Sequence, residues 1–140
     1  MRVEPITRDG AQMFRVHLAG GVIRTLTAIE TLSLLHAAAD AECARRAQLQ
    51  RDEAAAQAAV REAVRLGNSA TAARADVTRA QADIVGAGKE ITRLMEQADD
   101  VFAAAAEAYA RPLRQQFDAD MAAALAVLPP IPTPESFTHD

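Results

Sequence analysis

Three side chains on one predicted helix are of types that bind metals. His36, Asp40 and Cys43 follow one another at spacings of four and three residues, which places them on one helix face. Imidazole, carboxylate and thiolate can each hold zinc, but the paired motifs Cys-x-x-Cys and His-Glu-x-x-His do not occur in the chain. A solvated polar patch beside a buried cysteine is the better interpretation, and we expect no metal and no cofactor.

The segment Gly86-Ala87-Gly88-Lys89 has some of the composition of a phosphate-binding loop. It lacks the full Gly-x-x-x-x-Gly-Lys-Ser/Thr spacing and a preceding strand, and it lies inside a helical heptad pattern. Two glycines in a helix cost about 1 kcal/mol each relative to alanine. The segment therefore predicts a weak point in a helix, either a hinge or a place of close helix contact.

The remaining titratable residues form no catalytic constellation. Neighbouring carboxylates such as Asp99 and Asp100 point in different directions on a helix, and we read them, like Asp118 and Asp120, as a solvated face. The histidines fall in three different predicted elements, at positions His17, His36 and His139. We therefore expect that the protein is not an enzyme.

Strand character is confined to residues 2–27. Apolar Phe14, Val16 and Leu18 alternate with polar residues, and the pair Gly20-Gly21 supplies a two-residue turn before the chain returns. In that register Leu18 faces Ile23, and Val16 faces Thr25. The pattern predicts a small β-hairpin, to which residues 2–6 can add a third strand that Pro5 confines to an edge.

A long helix follows the hairpin. Thr27 and Glu30 have the spacing of a capping box, so the helix should begin at Ala28, and no glycine or proline interrupts the chain before Gly67. Such a helix is roughly 60 Å long. The sequence Leu66-Gly67-Asn68-Ser69 predicts a reversal, with Gly67 in the left-handed conformation and Ser69 capping the next helix.

The second helix carries an uninterrupted heptad pattern, which is the most specific feature of the chain. Its a and d positions contain no polar residue and are Ala70, Ala73, Val77, Ala80, Ile84, Ala87, Ile91, Leu94, Ala98, Val101, Ala105 and Ala108. The pattern predicts a narrow seam that binds another helix. Whether that helix is the first helix or belongs to another chain stays open.

The matching series on the first helix contains three charged residues. It runs through Ala28, Leu32, Leu35, Ala39, Glu42, Arg46, Leu49, Glu53, Ala56, Val60 and Ala63. Charged side chains are costly to bury without partners. Glu42, Arg46 and Glu53 are therefore expected either to be exposed or to pair across an oligomer interface.

Proline residues divide the C-terminal part of the sequence. Pro112 predicts that the second helix breaks or kinks after Ala110 and that a third helix then runs to about Leu128. One face of this third helix carries a stripe of Leu113, Phe117, Met121, Leu125 and Leu128. The proline-rich tail 129–140 should be extended, either as a disordered terminus or as an arm that docks Ile131 and Phe137 in a neighbour's groove.

Composition limits the classes of protein. The 140 residues include 34 alanines and no tryptophan, so little bulky surface is available to build a thick core around a cleft. The net charge of −4 argues against nucleic-acid binding, and the absence of a long apolar run argues against a membrane span. A single cysteine excludes an intrachain disulfide, and we expect a soluble, cytoplasmic protein.

These observations predict a mainly α protein, a long antiparallel helical hairpin or coiled coil with a small N-terminal β-hairpin, a third amphipathic helix and an extended tail. The segments are 1–27, 28–128 and 129–140. The expected function is that of a non-enzymatic, oligomeric interaction or assembly protein, such as a bacteriophage or mobile-element structural component incorporated into a virion in the cytoplasm.

The alternative function is a small inhibitor or regulator that binds a host protein or sequesters a small ligand. Expected partners are a second copy of the chain, another protein or both, but neither nucleic acid nor membrane. The expected interface residues are Val77, Ile84, Ile91, Leu94, Val101, Leu113, Phe117, Met121, Leu125, Ile131 and Phe137.

Overall fold

The computed structural model describes residues 1–130 and is mainly helical. Its elements are β1 (Arg2–Arg8), β2 (Ala11–His17), a 3-10 turn (Ala19–Gly21), β3 (Ile23–Leu26), α1 (Ala28–Arg65) and α2 (Thr71–Ala126). The chain forms two compact units, residues 1–105 and the residues from Ala106 onward. The predictions for Ile131 and Phe137, and for most of the tail, lie outside the described residues.

The N-terminal strands form a three-stranded antiparallel sheet in the order β1-β2-β3. Strands β1 and β2 are joined at Asp9-Gly10, where both residues have positive φ angles of 52° and 78°. Asp-Gly between two strand patterns favours this tight turn, because the turn needs positive φ at both positions. The predicted hairpin is thus extended by a complete strand, and Pro5 lies on an edge strand as expected.

The predicted pairing of the second hairpin was wrong by one residue. Val16 pairs with Arg24, and His17 pairs with Ile23. Gly20 and Gly21 do have positive φ, but the 3-10 turn holds three residues, closed by a 2.8 Å hydrogen bond from the Leu18 amide to the Val22 carbonyl. A shift of one residue moves side chains to the opposite face of a sheet, and Ile23 is accordingly exposed.

Both ends of α1 follow the predicted chemistry. At its start the Glu30 amide donates to Thr27 Oγ1 at 3.3 Å, and the Thr27 amide donates to Glu30 Oε2 at 2.9 Å, which completes the capping box. At its end the Gly67 amide donates to the Val64 carbonyl, and the Asn68 amide donates to the Ala63 carbonyl. These two bonds form a Schellman motif around Gly67, whose φ is 71°.

Helices α1 and α2 form an antiparallel hairpin within residues 1–105. Leu35 and Ala39 of α1 belong to the same buried cluster as Leu94 and Ala98 of α2. From Ala70 to Val101, each predicted heptad position of α2 is buried or half-buried. The partner helix that the sequence left open is therefore α1.

The charged residues in the α1 series are not exposed. Glu42, Arg46 and Glu53 are all half-buried. The Arg45 Nε donates to Glu42 Oε2 at 3.0 Å, and the Gln81 Nε2 of α2 donates to Glu53 Oε1 at 2.9 Å. The expectation that the two glutamates are exposed was therefore wrong, and hydrogen bonds within the chain offset the cost of their partial burial.

The core lies where the sheet packs against the helical hairpin. Its buried members are Phe14, Leu35, Ala39, Leu94, Ala98 and Val101. As predicted, Phe14 and Val16 of β2 point inward, while Arg15 between them is exposed. The start of β1 is attached to α2 by a 2.8 Å hydrogen bond from Arg93 Nη1 to the Met1 carbonyl. The large buried side chains of residues 1–105 are thus concentrated at this end of the hairpin.

Helix α2 does not end before Pro112. The helix is continuous from Thr71 to Ala126, so the predicted break after Ala110 and the separate third helix were wrong. Proline removes one backbone hydrogen bond, here the bond to the Ala108 carbonyl. Arg111, Pro112 and Leu113 are exposed, so water can reach this turn, and the surrounding alanines favour helix on both sides.

The glycines of α2 do not mark a close helix contact. A Cβ atom built on Gly86 or on Gly88 has nothing within 4 Å, and the helix continues through both residues. The close-contact interpretation was therefore wrong. These positions lose helix propensity without gaining a packing contact.

Candidate interaction surface

The residues considered for metal binding do not form a site. His36, Asp40 and Cys43 are exposed on α1, which corrects the expectation of a buried cysteine. Within residues 1–130, no group of three or more histidine, cysteine, aspartate or glutamate side chains is arranged to hold a metal ion.

The carboxylates with perturbed acidity stabilise helices and do not meet in a pocket. Hydrogen bonds from the Thr27 backbone and side chain lower the pKa of Glu30. A hydrogen bond from Arg65 lowers the pKa of Glu62, and one from Arg93 lowers the pKa of Glu90. Each of these pairs lies within one or two turns of its own helix. Such local pairs are the ordinary chemistry of a solvated helix surface.

Five of the expected interface residues face α1. They are Val77, Ile84, Ile91, Leu94 and Val101, all buried or half-buried at the heptad positions of α2. Val77 lines a groove together with Val60 of α1, while Leu94 and Val101 are in the core with Leu35. Leu94 and Val101 are therefore packed in the core, whereas Val77, Ile84 and Ile91 are only half-buried.

The C-terminal part of α2 displays a different surface. We define the C-terminal stripe as Tyr109, Leu113, Phe117, Met121 and Leu125, which recur every four residues. Their exposed fractions are 75%, 59%, 64%, 45% and 61%. Four of the five were predicted as interface residues, and Leu128 beyond the helix is exposed as well. Tyr109 was missed because the predicted helix end after Ala110 separated it from Leu113, although the four-residue spacing includes it.

Charged residues in this segment are arranged by sign. Arg111 and Arg114 lie in its first half and bond to Glu107 of the preceding turn. Asp118 and Asp120 follow in its second half, where Gln116 Nε2 donates to Asp120 Oδ1 at 2.8 Å. The helix therefore has a basic part and an acidic part beside the same stripe.

A second apolar region lies at the outer edge of the sheet. Strand β3 has β2 on one side only, and Val22, Ile23 and Ile29 near it are 47%, 56% and 78% exposed. Leu26, Ile29 and Leu34 line a shallow groove beside this edge, together with Arg24 and Glu30. An unpaired strand beside an apolar groove can accept an added strand from a partner.

The distribution of aromatic residues distinguishes the surface from the core. Among residues 1–130 only Phe14 is buried, whereas Phe102, Tyr109 and Phe117 are 66%, 75% and 64% exposed. Most of the buried residues of α2 are alanine. The chain thus places most of its described aromatic rings where solvent or a partner can reach them.

Comparisons with known proteins identify no relative. No protein-family model, no curated protein and no solved structure matches the chain. In the described part of the chain, neither helix has a stretch long and apolar enough to cross a membrane. The function must therefore be argued from the exposed surfaces themselves.

Proposed function

We propose that this protein is a non-enzymatic assembly protein that acts by self-association. The observation that carries the proposal is the exposure of Phe102, Tyr109 and Phe117 on a helix whose buried residues are mostly alanine. Aromatic residues are enriched at protein interfaces, because each ring buries a large area at a small cost in conformational entropy. A structural component of a bacteriophage or another mobile element is one form that such an assembly can take.

The size of the exposed surface supports contact with a partner. Monomeric soluble proteins rarely expose contiguous apolar patches larger than a few hundred Å². From its exposed fractions, the C-terminal stripe presents about 600 Å² per chain, taking about 200 Å² for a large side chain. A surface of this size is expensive to leave in water, and its burial in an assembly is the simplest reason for its presence.

A second candidate function is that of a small inhibitor or regulator of another protein. The observation that favours it is the open edge of β3, where the exposed Ile23 and Ile29 lie beside a shallow apolar groove. A partner that contributes one extended strand would pair with this edge and insert alternate side chains in the groove.

Light scattering coupled to size-exclusion chromatography separates the two functions. For an assembly protein we expect a mass that is a multiple of 14.9 kDa and that persists on dilution through the micromolar range. An inhibitor would instead run as a monomer and retain one host protein at near-stoichiometric yield when used as bait. A monomer that retains no protein would contradict both proposals.

A further inference from the structure

We propose that the C-terminal stripe binds the same stripe of a second copy, with the two helices antiparallel and centred near Gln115. This inference rests on the proposed self-association and specifies its surface, its partner and its orientation. It is carried by three properties of residues 106–126, which are the spacing of the apolar side chains, the order of the charges and the area available.

Four of the five residues of the C-terminal stripe are self-complementary about Gln115. In an antiparallel pair centred there, Leu113 of each copy lies opposite Phe117 of the other, and Tyr109 lies opposite Met121. A two-fold axis requires this property, since the same patch must serve both subunits. Ring-to-thioether and ring-to-leucine contacts also pack favourably. Ala106 and Ala124, on the same helix face, lie opposite each other and leave room for the larger neighbours.

The order of the charges selects the antiparallel orientation. In the same register Arg111 of one copy lies at the level of residues 118–120 of the other, and Asp118, which is seven residues from Arg111, lies on the same flank of the stripe. A parallel pair in register would instead place the arginines of the two copies together, and likewise their aspartates. Charge pattern beside an apolar seam sets orientation in this way in other helix pairs, because like charges facing each other are unfavourable.

The area is sufficient for a specific dimer. In this register Tyr109, Leu113, Phe117 and Met121 present about 500 Å² per chain, so two copies would bury about 1,000 Å² in total, which is the size expected of a biological interface. Other residues of the same chain do not bury these side chains, since all four are between 45% and 75% exposed.

Charge reversal in the full-length chain tests the pairing. The variant Arg111→Glu/Arg114→Glu and the variant Asp118→Arg/Asp120→Arg each place like charges opposite each other in the antiparallel pair. Each alone should therefore raise the dimer dissociation constant at least about 10-fold, a typical effect of unfavourable facing charges. Mixing the two variants should restore association, because each then supplies the charge that the other lacks.

The control variant reverses the same number of charges at positions away from the C-terminal stripe. Arg51 and Arg61 are exposed on α1, so Arg51→Glu/Arg61→Glu makes the same change in net charge away from the stripe. This control should associate like the unmodified protein. Circular dichroism should report the same helix content for all variants, and recovery of association in the mixture shows that neither reversed variant is misfolded.

Spin labels measure the orientation directly. Cys43→Ser removes the natural thiol, and labels are then placed at Gln116→Cys or at Ala123→Cys, both beside the stripe. At 1.5 Å per residue, antiparallel pairing about Gln115 separates the two Ala123 labels along the helix axis by about 20 Å more than the two Gln116 labels, so the distance at position 123 is clearly the longer. Parallel pairing predicts nearly equal distances at the two positions.

The outcomes separate this inference from the proposed function. Self-association that is unaffected by both charge reversals, or equal label distances at the two positions, would overturn the antiparallel stripe while leaving an assembly protein. A monomeric unmodified protein would overturn both. Loss of association in each reversed variant, recovery in the mixture and the longer distance at position 123 together would support the inference.

Discussion

Residues 71–105 and residues 106–126 belong to one continuous helix but differ in how deeply their large apolar side chains are buried. Leu94 and Val101 are only 2% and 3% exposed, whereas Leu113 and Leu125 are 59% and 61% exposed. The first segment has partners in α1 and in the sheet. In the second segment the whole stripe remains exposed within the monomer.

Residue size explains part of this difference. Among the buried residues of α2, alanine predominates, and these small side chains leave little apolar surface exposed. The C-terminal stripe has large side chains, and these need a partner surface with matching holes. A periodic apolar pattern therefore indicates that a helix has a contact face, while the size of the residues indicates what kind of partner fits.

The largest expected effect comes from shortening a leucine in each segment. In the Phe117→Asp background, where self-association should not contribute, Leu94→Ala is expected to lower the free energy of unfolding by about 2–5 kcal/mol. Leu113→Ala in that background should change it by no more than about 0.5 kcal/mol, as is usual for exposed positions. Urea denaturation provides both values. Equal losses would show that the two segments are equally packed and would remove the contrast.

A substitution at Gly86 should change the free energy of unfolding by a smaller amount and in the opposite direction. Gly86→Ala should raise the free energy of unfolding by about 1 kcal/mol, because alanine has the higher helix propensity and the new methyl group meets no neighbouring atom. Ala82→Gly, at another exposed position of the same helix, is the matched control and should lower it by a similar amount. A loss of stability in Gly86→Ala would indicate that this position needs the freedom of glycine.

The smallest effect concerns the pH dependence at the start of α1. The pKa of Glu30 is lowered below 4.5 by its hydrogen bonds to Thr27. Because the folded pKa is below the unfolded one, this carboxylate stabilises the fold above the unfolded pKa, and its contribution disappears as the pH falls through the folded pKa. Protection factors for hydrogen exchange at the first turn of α1, which correct for the intrinsic slowing of exchange in acid, should therefore fall on acidification. In Glu30→Gln this acid-dependent change should be weaker, and an unchanged pH profile would contradict the role of the carboxylate.

The sequence predicted features whose chemistry is local. Thr27 and Glu30 start α1, Gly67 ends it, and alternation around Phe14 and Val16 assigns the buried face of β2. Each prediction depends only on residues within a few positions of one another. The buried face of α2 was also predictable, since the a and d positions form a single face on which every residue is apolar.

Features that depend on the balance of several interactions were not predictable in the same way. Two glycines with positive φ, such as Gly20 and Gly21, fit a two-residue loop as well as a three-residue loop. The choice between the two loop lengths shifts the strand register by one residue. Pro112 ends a helix only when the cost of the lost hydrogen bond exceeds the helix preference of its neighbours. The partners of Glu53 became visible only once α2 was placed against α1.

Sedimentation velocity of the unmodified protein beside Phe117→Asp tests the central claim most directly. Phe117 lies in the middle of the C-terminal stripe, and Val85→Asp replaces a similarly exposed apolar residue, 57% accessible, elsewhere on the same helix. We expect the unmodified protein and Val85→Asp to sediment as an oligomer, and Phe117→Asp to associate at least about 30-fold more weakly, as for a central aromatic at an interface. Equal association of all three proteins, or a monomer in every case, would contradict the account.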